Sequence, residues 1–224
     1  MSENNGSYVS GASAKPLLGI TIGDMFDQIV ARYPENEALV VRHQGLRYTY
    51  RELQGQVDRC ARALMALGVH KGDRVGIWAP NCSEWVLHQF APRKIGAILV
   101  NINPSYRTHE VQYALKQSGC AYLVIAPQFR TSNYTGMIYE LAPELAEADP
   151  ASAQLHAAQL PALRLVIRLG DESKPGMLPW GQFLALAGQV SAEQLAERQR
   201  AQQFDDPINI QYTSGTTGYP KGAT

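Results

Sequence analysis

Apolar and polar residues follow two rhythms along this chain, and the switches between them mark out its elements. Between Ile22 and about Tyr33, the residues Met25, Phe26, Ile29 and Val30 recur at helical spacing, with Asp24 placed to cap the start of a short helix. After Pro34, Ala38-Leu39-Val40-Val41 and Leu46-Arg47-Tyr48 flank the polar His43-Gln44-Gly45 and predict two strands joined by a turn. Thr49 and Glu52 are spaced for a reciprocal capping box, in which hydroxyl and carboxylate each satisfy a backbone N–H. Behind them Leu53, Val57, Cys60, Ala61 and Leu64 form one apolar stripe, which Gly68 ends in a left-handed stop.

The rhythm then changes to short, continuous apolar runs. Residues 74–78, 98–102, 121–125 and 163–167 read as strands, each bounded by Gly, Pro, Asn or Asp. Helices are predicted between them at about 83–94 and at 108–118, the second ending at Gly119, and Pro92, which lacks an N–H, is expected to break or kink the first. From Pro127 to Pro161 the pattern weakens, which suggests a surface insertion with a helix near 134–145 and a loop around Asp149-Pro150. A helix at 179–186, a charged and exposed helix at 191–203 and a strand at 208–212 complete the sequence, without an internal repeat. Apolar strands separated by helices imply an α/β fold with a layered, mostly parallel sheet covered on both faces.

Composition narrows the classes of function. Of 224 residues, 45% are hydrophobic and 18% charged, as in an average globular protein, so a core can form. Twenty Lys and Arg balance twenty Asp and Glu, which gives no electrostatic reason to expect a nucleic-acid partner. Residues 1–20 lack the apolar core of a secretory signal and read as a flexible N-terminus, and no stretch is long enough to span a bilayer. Cys60, Cys82 and Cys120 are odd in number and far apart, so buried thiols in a reducing, cytoplasmic setting are expected rather than a disulfide or metal framework. The histidines, His43, His70, His88, His109 and His156, fit neither a zinc pattern nor a Ser/His/Asp arrangement and are expected at the surface or at caps. Trp78, Trp85 and Trp180 have apolar neighbours and read as core anchors.

One segment carries chemistry. The strand at 208–212 runs into Thr213-Ser214-Gly215-Thr216-Thr217-Gly218-Tyr219-Pro220-Lys221-Gly222, with four Ser/Thr hydroxyls, three glycines and a lysine in ten residues. Glycines let backbone N–H groups approach an anion, hydroxyls add donors, and Lys221 adds a full positive charge. The Walker consensus fails on both sides of Lys221, which follows Pro220 and precedes Gly222. A flexible linker explains the glycines but not the abrupt departure from a strand. Taken alone, these residues support phosphate binding.

Residues 212–222 resemble, throughout, the Tyr-Thr-Ser-Gly-Thr-Thr-Gly-x-Pro-Lys-Gly signature of the adenylate-forming superfamily, which includes acyl-CoA synthetases, firefly-type luciferases and peptide-synthetase adenylation domains. Tyr48-Thr49-Tyr50-Arg51-Glu52-Leu53 and the run from Lys94 to Pro104 resemble two earlier motifs of that family, and Leu17-Leu18-Gly19-Ile20-Thr21-Ile22-Gly23-Asp24, Asn103-Pro104-Ser105-Tyr106-Arg107 and residues 206–211 are most similar to medium- or long-chain fatty-acyl-CoA ligases. The resemblance implies that residues 21–224 are part of the N-terminal AMP-binding domain, with the remainder and a C-terminal domain carrying the catalytic lysine lying outside the sequence, so that these residues alone are expected to be inactive. It implies ATP, Mg²⁺ and CoA as cofactor and co-substrates, a fatty acid as substrate, an acyl-adenylate intermediate, and homodimerisation as an open expectation. Thr213 would meet the Mg²⁺; Ser214, Gly215, Thr216, Thr217, Gly218 and Lys221 would line the β/γ-phosphate cradle; Gly222 would permit the exit turn. The resemblance leaves open an aryl-acid or carrier-protein ligase, or a non-catalytic binding module. Arg107 could face a nucleotide, though capping the next helix is the more ordinary role.

Overall fold

The computed structural model describes residues 17–213 and 220–224. The first helix, α1 (Ile22–Arg32), is capped by Thr21, whose hydroxyl accepts from the Asp24 N–H at 3.1 Å. Asp24 is thus the third helical residue and not the cap: from Thr21 the short side chain reaches the orphan N–H that the first turn leaves open. Strands β1 (Glu37–Val41) and β2 (Leu46–Thr49) form the expected hairpin, turned by Gly45 at φ 65°. The box at the start of α2 (Tyr50–Ala66) is made as the spacing predicts, with Glu52 N–H on Thr49 Oγ1 at 3.2 Å and Thr49 N–H on Glu52 Oε2 at 2.8 Å.

The α/β class holds. Strands β3 (Arg74–Trp78), β4 (Ile98–Asn101), β5 (Tyr122–Ile125), β6 (Leu165–Arg168), β7 (Met177–Pro179), β8 (Asn209–Thr213) and β9 (Lys221–Ala223) form one sheet in the order β7-β6-β5-β3-β4-β8-β9, with only β9 antiparallel to its neighbour. Between them run α3 (Ser83–Lys94), α4 (Thr108–Ser118), α5 (Tyr134–Leu141), α6 (Trp180–Ala185) and α7 (Ala192–Arg200). The chain steps from β3 through α3 to β4 on one side and returns through α4 to β5 on the other. Right-handed crossovers therefore send α3 and α4 to opposite faces, and a crevice lined by Ala79, Asn101 and Gln211 among others opens beyond the C-terminal ends of β3, β4 and β8. Helices α1, α2, α3 and α7 pack on one another, while α4 packs on α5.

Three further expectations need correction. Residues 127–161 are not a surface insertion: Tyr134 and Ile138 on α5, and Leu145, Leu155, Ala157 and Leu160 beyond it, are buried. The segment covers the sheet with one short helix and scattered apolar anchors, so no long period is visible in its sequence. The contact is close enough that a Cβ at Gly176 would lie 1.6 Å from the Leu145 carbonyl oxygen. Pro92 does not break α3, which continues to Lys94; the proline sits in the last turn, where it forgoes a single bond to the preceding turn, and its carbonyl accepts from Ile95 and Ala97 N–H. His88 is fully buried on α3, with Nδ1 3.0 Å from the Glu84 carbonyl and its ring 5.6 Å from that of Trp180. The short β7 and β9 have three residues each and no alternating pattern long enough to announce them.

The helical layer is tied at one charged point that sequence periodicity does not reveal. Lys94, with its side chain 3% exposed, donates to Asp27 Oδ1 on α1 at 2.7 Å and to Asp58 Oδ1 on α2 at 2.6 Å. Gln54 on α2 and Gln199 on α7 also donate to Asp27, and Gln199 reaches Asp24. Burial pushes both carboxyls up, but the bonds from Lys94, Gln199 and Gln54 outweigh it at Asp27, which titrates below the usual range, whereas at Asp58, which lacks the two glutamine donors, burial wins.

Two stability predictions follow from these buried groups. Lys94→Met leaves two carboxylates facing each other without their cation, and urea denaturation is expected to show a loss of about 3 kcal/mol. Burial pushes the His88 imidazole down from 6.5 to about 4, so the unfolded chain binds a proton that the folded chain refuses. The contribution of a neutral His88 is complete above pH 6.5 and is lost as pH falls toward 4, by roughly 3 kcal/mol over that window. Chemical denaturation of the wild type and of His88→Gln across pH 4 to 7 is expected to show this extra slope in the wild type alone.

Candidate active site at the sheet's C-terminal edge

Parallel pairing puts the C-terminal ends of β3, β4 and β8 on one edge of the sheet. Leu99, Val100 and Asn101 on β4 align with Asn209, Ile210 and Gln211 on β8, and the Leu99 N–H on the Ile208 carbonyl extends the ladder. Strand β8 therefore delivers Thr213 to the edge where the crevice lies, a place where ligands of open α/β sheets bind.

Of the loop residues predicted to hold phosphate, the structure describes the two flanks. Thr213 and Lys221 are register partners across the β8–β9 hairpin, both are exposed, and Thr213 Oγ1 donates to the Lys221 carbonyl at 3.5 Å. Ser214, Gly215, Thr216, Thr217 and Gly218 lie outside the described residues. Among the described residues no carboxylate pairs with the Lys221 ammonium, so its charge is available to an anion. The Thr213 hydroxyl is a hard oxygen donor of the kind that Mg²⁺ accepts. Gly222 is no turn residue: it sits within β9, opposite Tyr212, and a Cβ there would come to 3.0 Å from Ile210 Cγ2 and 3.4 Å from the Tyr212 ring. A side chain there would press on β8 and oblige Ile210 and Tyr212 to give way by a few tenths of an ångström.

The crevice beside this hairpin has a volume of about 290 Å³ and is lined by Asn81, Trp85, Asn101, Ile102, Pro104 and Gln211 among others. Its far wall is braced from below. Trp78 Nε1 donates to the Asn103 carbonyl at 3.2 Å, and the Trp78 ring stacks on Tyr134 at 3.7 Å between centroids. Tyr134 in turn donates its hydroxyl to the Pro104 carbonyl, and Asn103 Oδ1 accepts from the Ser105 N–H at 2.8 Å. Trp78 is thus the anchor expected from its apolar neighbours, and its N–H sets the height of the loop after β4. Burial holds the Tyr134 phenol up at about 12, so it remains a donor throughout the working range of pH. Arg107 is exposed at the start of α4, where its backbone N–H is satisfied by Glu110 Oε2 at 3.0 Å. Sequence reasoning missed the carboxamides Asn81, Asn101 and Gln211; the only signal was polar residues at the ends of apolar strands.

The packing at Gly222 is testable. Gly222→Val is expected to press on Ile210 and Tyr212 and lower stability by about 2 kcal/mol in a thermal or urea melt, the usual cost of overpacking, and a melt equal to the wild type's would contradict this role.

Comparison with known proteins places this geometry in a family. The model of the AMP-binding enzyme family matches residues 26–224. The chain is 43% identical over 221 residues to the human protein named medium-chain acyl-CoA ligase ACSF2, mitochondrial, and 41% identical over 219 residues to its mouse counterpart, covering 97% of this chain and 35% of each relative. It therefore spans about a third of the length of the curated relatives it matches. Among solved structures, acetoacetyl-CoA synthetase from Streptomyces lividans is similar with a TM-score of 0.71 and 27% identity, over 91% of this chain and 30% of that one. A fatty acyl CoA synthetase from Mycobacterium tuberculosis is similar with a TM-score of 0.56 and 27% identity, over 90% of this chain and 34% of that one. With a family model covering nearly all the described residues and the hairpin of its signature loop at the open edge of a parallel sheet, this chain belongs to the AMP-binding enzyme family.

Proposed function

We propose that the protein carrying this chain joins a fatty acid to CoA in two steps, with ATP as the driving reagent. The fatty-acid carboxylate attacks the α-phosphorus of ATP, giving an acyl-adenylate and pyrophosphate; the CoA thiol then displaces AMP to give the thioester. The observation that carries this reading is the β8–β9 hairpin, which holds Thr213 opposite Lys221 at the C-terminal edge of the sheet in a chain over 40% identical to proteins named medium-chain acyl-CoA ligases.

In this reading residues 21–224 are a part of the nucleotide-binding domain, and the loop works by positioning phosphates and stabilising charge that develops on their oxygens. The backbone and hydroxyls of Ser214, Gly215, Thr216, Thr217 and Gly218, with Lys221, enclose the β- and γ-phosphates. The Thr213 hydroxyl would hold Mg²⁺, which when bound neutralises phosphate charge. Three observations support the assignment: the Lys221 charge is unpaired among the described residues, the Thr213 hydroxyl is exposed beside it, and among the described residues no charged side chain lines the adjoining crevice to compete for the anion. The thiols of Cys60, Cys82 and Cys120 are all free, which suits a reducing compartment; we propose the cytoplasm, although the vertebrate relatives are named as mitochondrial. Among the described residues no helix is long and apolar enough to cross a membrane.

Incubating the complete protein with ATP, Mg²⁺, CoA and a panel of acids should yield AMP, pyrophosphate and a thioester, with fatty acids preferred; turnover of aryl acids alone, or transfer to a carrier protein in place of CoA, would point to another branch of the family. Lys221→Ala should slow acid-dependent pyrophosphate exchange by about ten- to a hundredfold while leaving the melting temperature unchanged, because the side chain is exposed. A wild-type exchange rate in that variant would remove Lys221 from the site.

A further inference from the structure

A second pocket lies at the opposite edge of the sheet, where the chain enters β4 and β8. It is lined by Ile20, Ile22, Arg93, Gln202, Phe204 and Ile208 among others, so α1, α3 and the connection from α7 to β8 meet in it. Two polar groups there lack partners. Arg93 Nη1 donates to the Gln89 carbonyl and, at 2.9 Å, to Gln89 Oε1, but its Nε is shielded from solvent and finds no acceptor among the described residues. No carboxylate among the described residues pairs with its charge, and burial pushes the guanidinium down from its ordinary range. Gln202 is only 8% exposed. Its Nε2 donates to the Arg198 carbonyl at 2.6 Å, which fixes the amide's orientation and leaves Oε1 buried against Gly96 without a donor among the described residues. Asp206 also lines the pocket, but its carboxylate is taken up by Lys71 at 2.5 Å and by the Gln203 N–H at 2.7 Å. Buried polar atoms without partners are costly and rare enough in folded proteins to need a cause.

The size of the pocket and its surroundings say what would satisfy these atoms. Its volume is about 50 Å³, roughly four times what one water needs, so it admits a small head group and no chain. Of the six large apolar residues that are exposed among the described residues, four gather at its mouth. Leu17 and Leu18 lead into it along the chain, and Ile22 and Phe204 line it, with Leu17 97% and Phe204 64% exposed. Gathered apolar surface of this kind marks a place where another apolar group lies. A carboxyl group carries both missing partners: an oxygen that accepts from Arg93 Nε, and, in the protonated form that burial favours, an O–H for Gln202 Oε1. A single alkyl chain behind it would run out over Ile22 and Phe204. A lone water would meet the polar atoms but leave the apolar surface bare.

We propose that this pocket is a fatty-acid site remote from the phosphate loop, in which Arg93 and Gln202 hold the carboxyl head while Leu18, Ile22 and Phe204 carry the chain. The inference goes beyond the ligase reading above and does not depend on it: the pocket opens where β4 and β8 begin, the loop lies where β8 ends, and binding here needs neither ATP nor CoA. An acid held in it would tie α1 and α3 to the connection that leads into β8.

The test uses the complete protein and a dodecanoic acid that bears a photoreactive diazirine on its chain, with the labelled residues located by peptide mass spectrometry. Without ATP or CoA, labelling is expected within residues 17–22 or 204–208, displaced by dodecanoate but not by its methyl ester, which has neither charge nor O–H. Arg93→Met and Phe204→Ser should each need about tenfold more acid for half-labelling at those residues, the worth of one charge-assisted hydrogen bond or of one aromatic side chain's apolar contact. Labelling there that the ester displaces as well as the acid does, or that persists unchanged in either variant, would reduce the patch to general apolar surface and overturn the proposal. Absence of labelling there would overturn it too. Stronger displacement by dodecyl phosphate than by dodecanoate would give the pocket to a phosphate head and overturn the carboxyl assignment. Phe204 is exposed, so if Arg93→Met fails to fold, Phe204→Ser and the ester decide. A protein that makes no thioester strikes down the ligase reading alone, because this labelling is read at other residues and in the absence of ATP.

Discussion

Everything assigned to chemistry in this molecule depends on β8 lying parallel to β4. That pairing satisfies the backbone of β4, which is buried along most of its length and must find its partners within the sheet. It also fixes direction: a strand that ran the other way would carry Thr213 and the loop after it to the opposite end, away from the crevice beyond the ends of β3 and β4. The register matters as much, because Asn101 meets Gln211 only when Leu99 meets Asn209. A slip of one residue would turn Gln211 and Thr213 to the other face of the strand and bring Tyr212 in their place.

The helices keep that strand where it is by a different kind of bond. Lys94 closes α3 just before β4, so its ties to Asp27 and Asp58 hold the entry to β4 against α1 and α2. Gln199 adds α7, the last helix before β8, to the same cluster. Burying an ammonium is unfavourable unless its hydrogen bonds and charge are met, and here two carboxylates, each about a third exposed, meet it while keeping part of their own hydration. The arrangement is therefore specific: helices packed in another way would strand the charge.

How much of this was legible in the sequence follows from how each signal arises. The capping box at Thr49 and Glu52, the left-handed Gly119 and the apolar strands β3, β5 and β6 are local or continuous patterns, and the fold class came with them. The segment 127–161 was misjudged because its anchors, from Tyr134 to Leu160, bury singly or in one short helix and leave no period to count. His88 was misplaced because burial of a neutral imidazole leaves no mark in composition. The cluster of Gly, Ser, Thr and Lys at 213–222 stands out in the sequence, whereas the packing of Gly222 does not: only the closeness of Ile210 and Tyr212 to where its Cβ would lie shows that a side chain there would press on β8. Asn101 and Gln211 stand 110 residues apart, and nothing in either neighbourhood announces that strand pairing brings them together.

The two ends of the sheet handle charge in opposite ways. At the end where β4 begins, Lys94 is sunk among carboxylates and Lys71 pairs with Asp206, so both lysines are matched within the protein. At the end where β4 and β8 finish, the crevice is lined by neutral carboxamides and apolar groups, and the nearby Lys221 is left without a carboxylate among the described residues. An acidic group in that crevice would repel a polyphosphate and neutralise the lysine; a second lysine there would bind phosphate in the wrong place. Neutral amides do neither. They leave the positive field of Lys221 undivided, which suits the phosphate site proposed beside them.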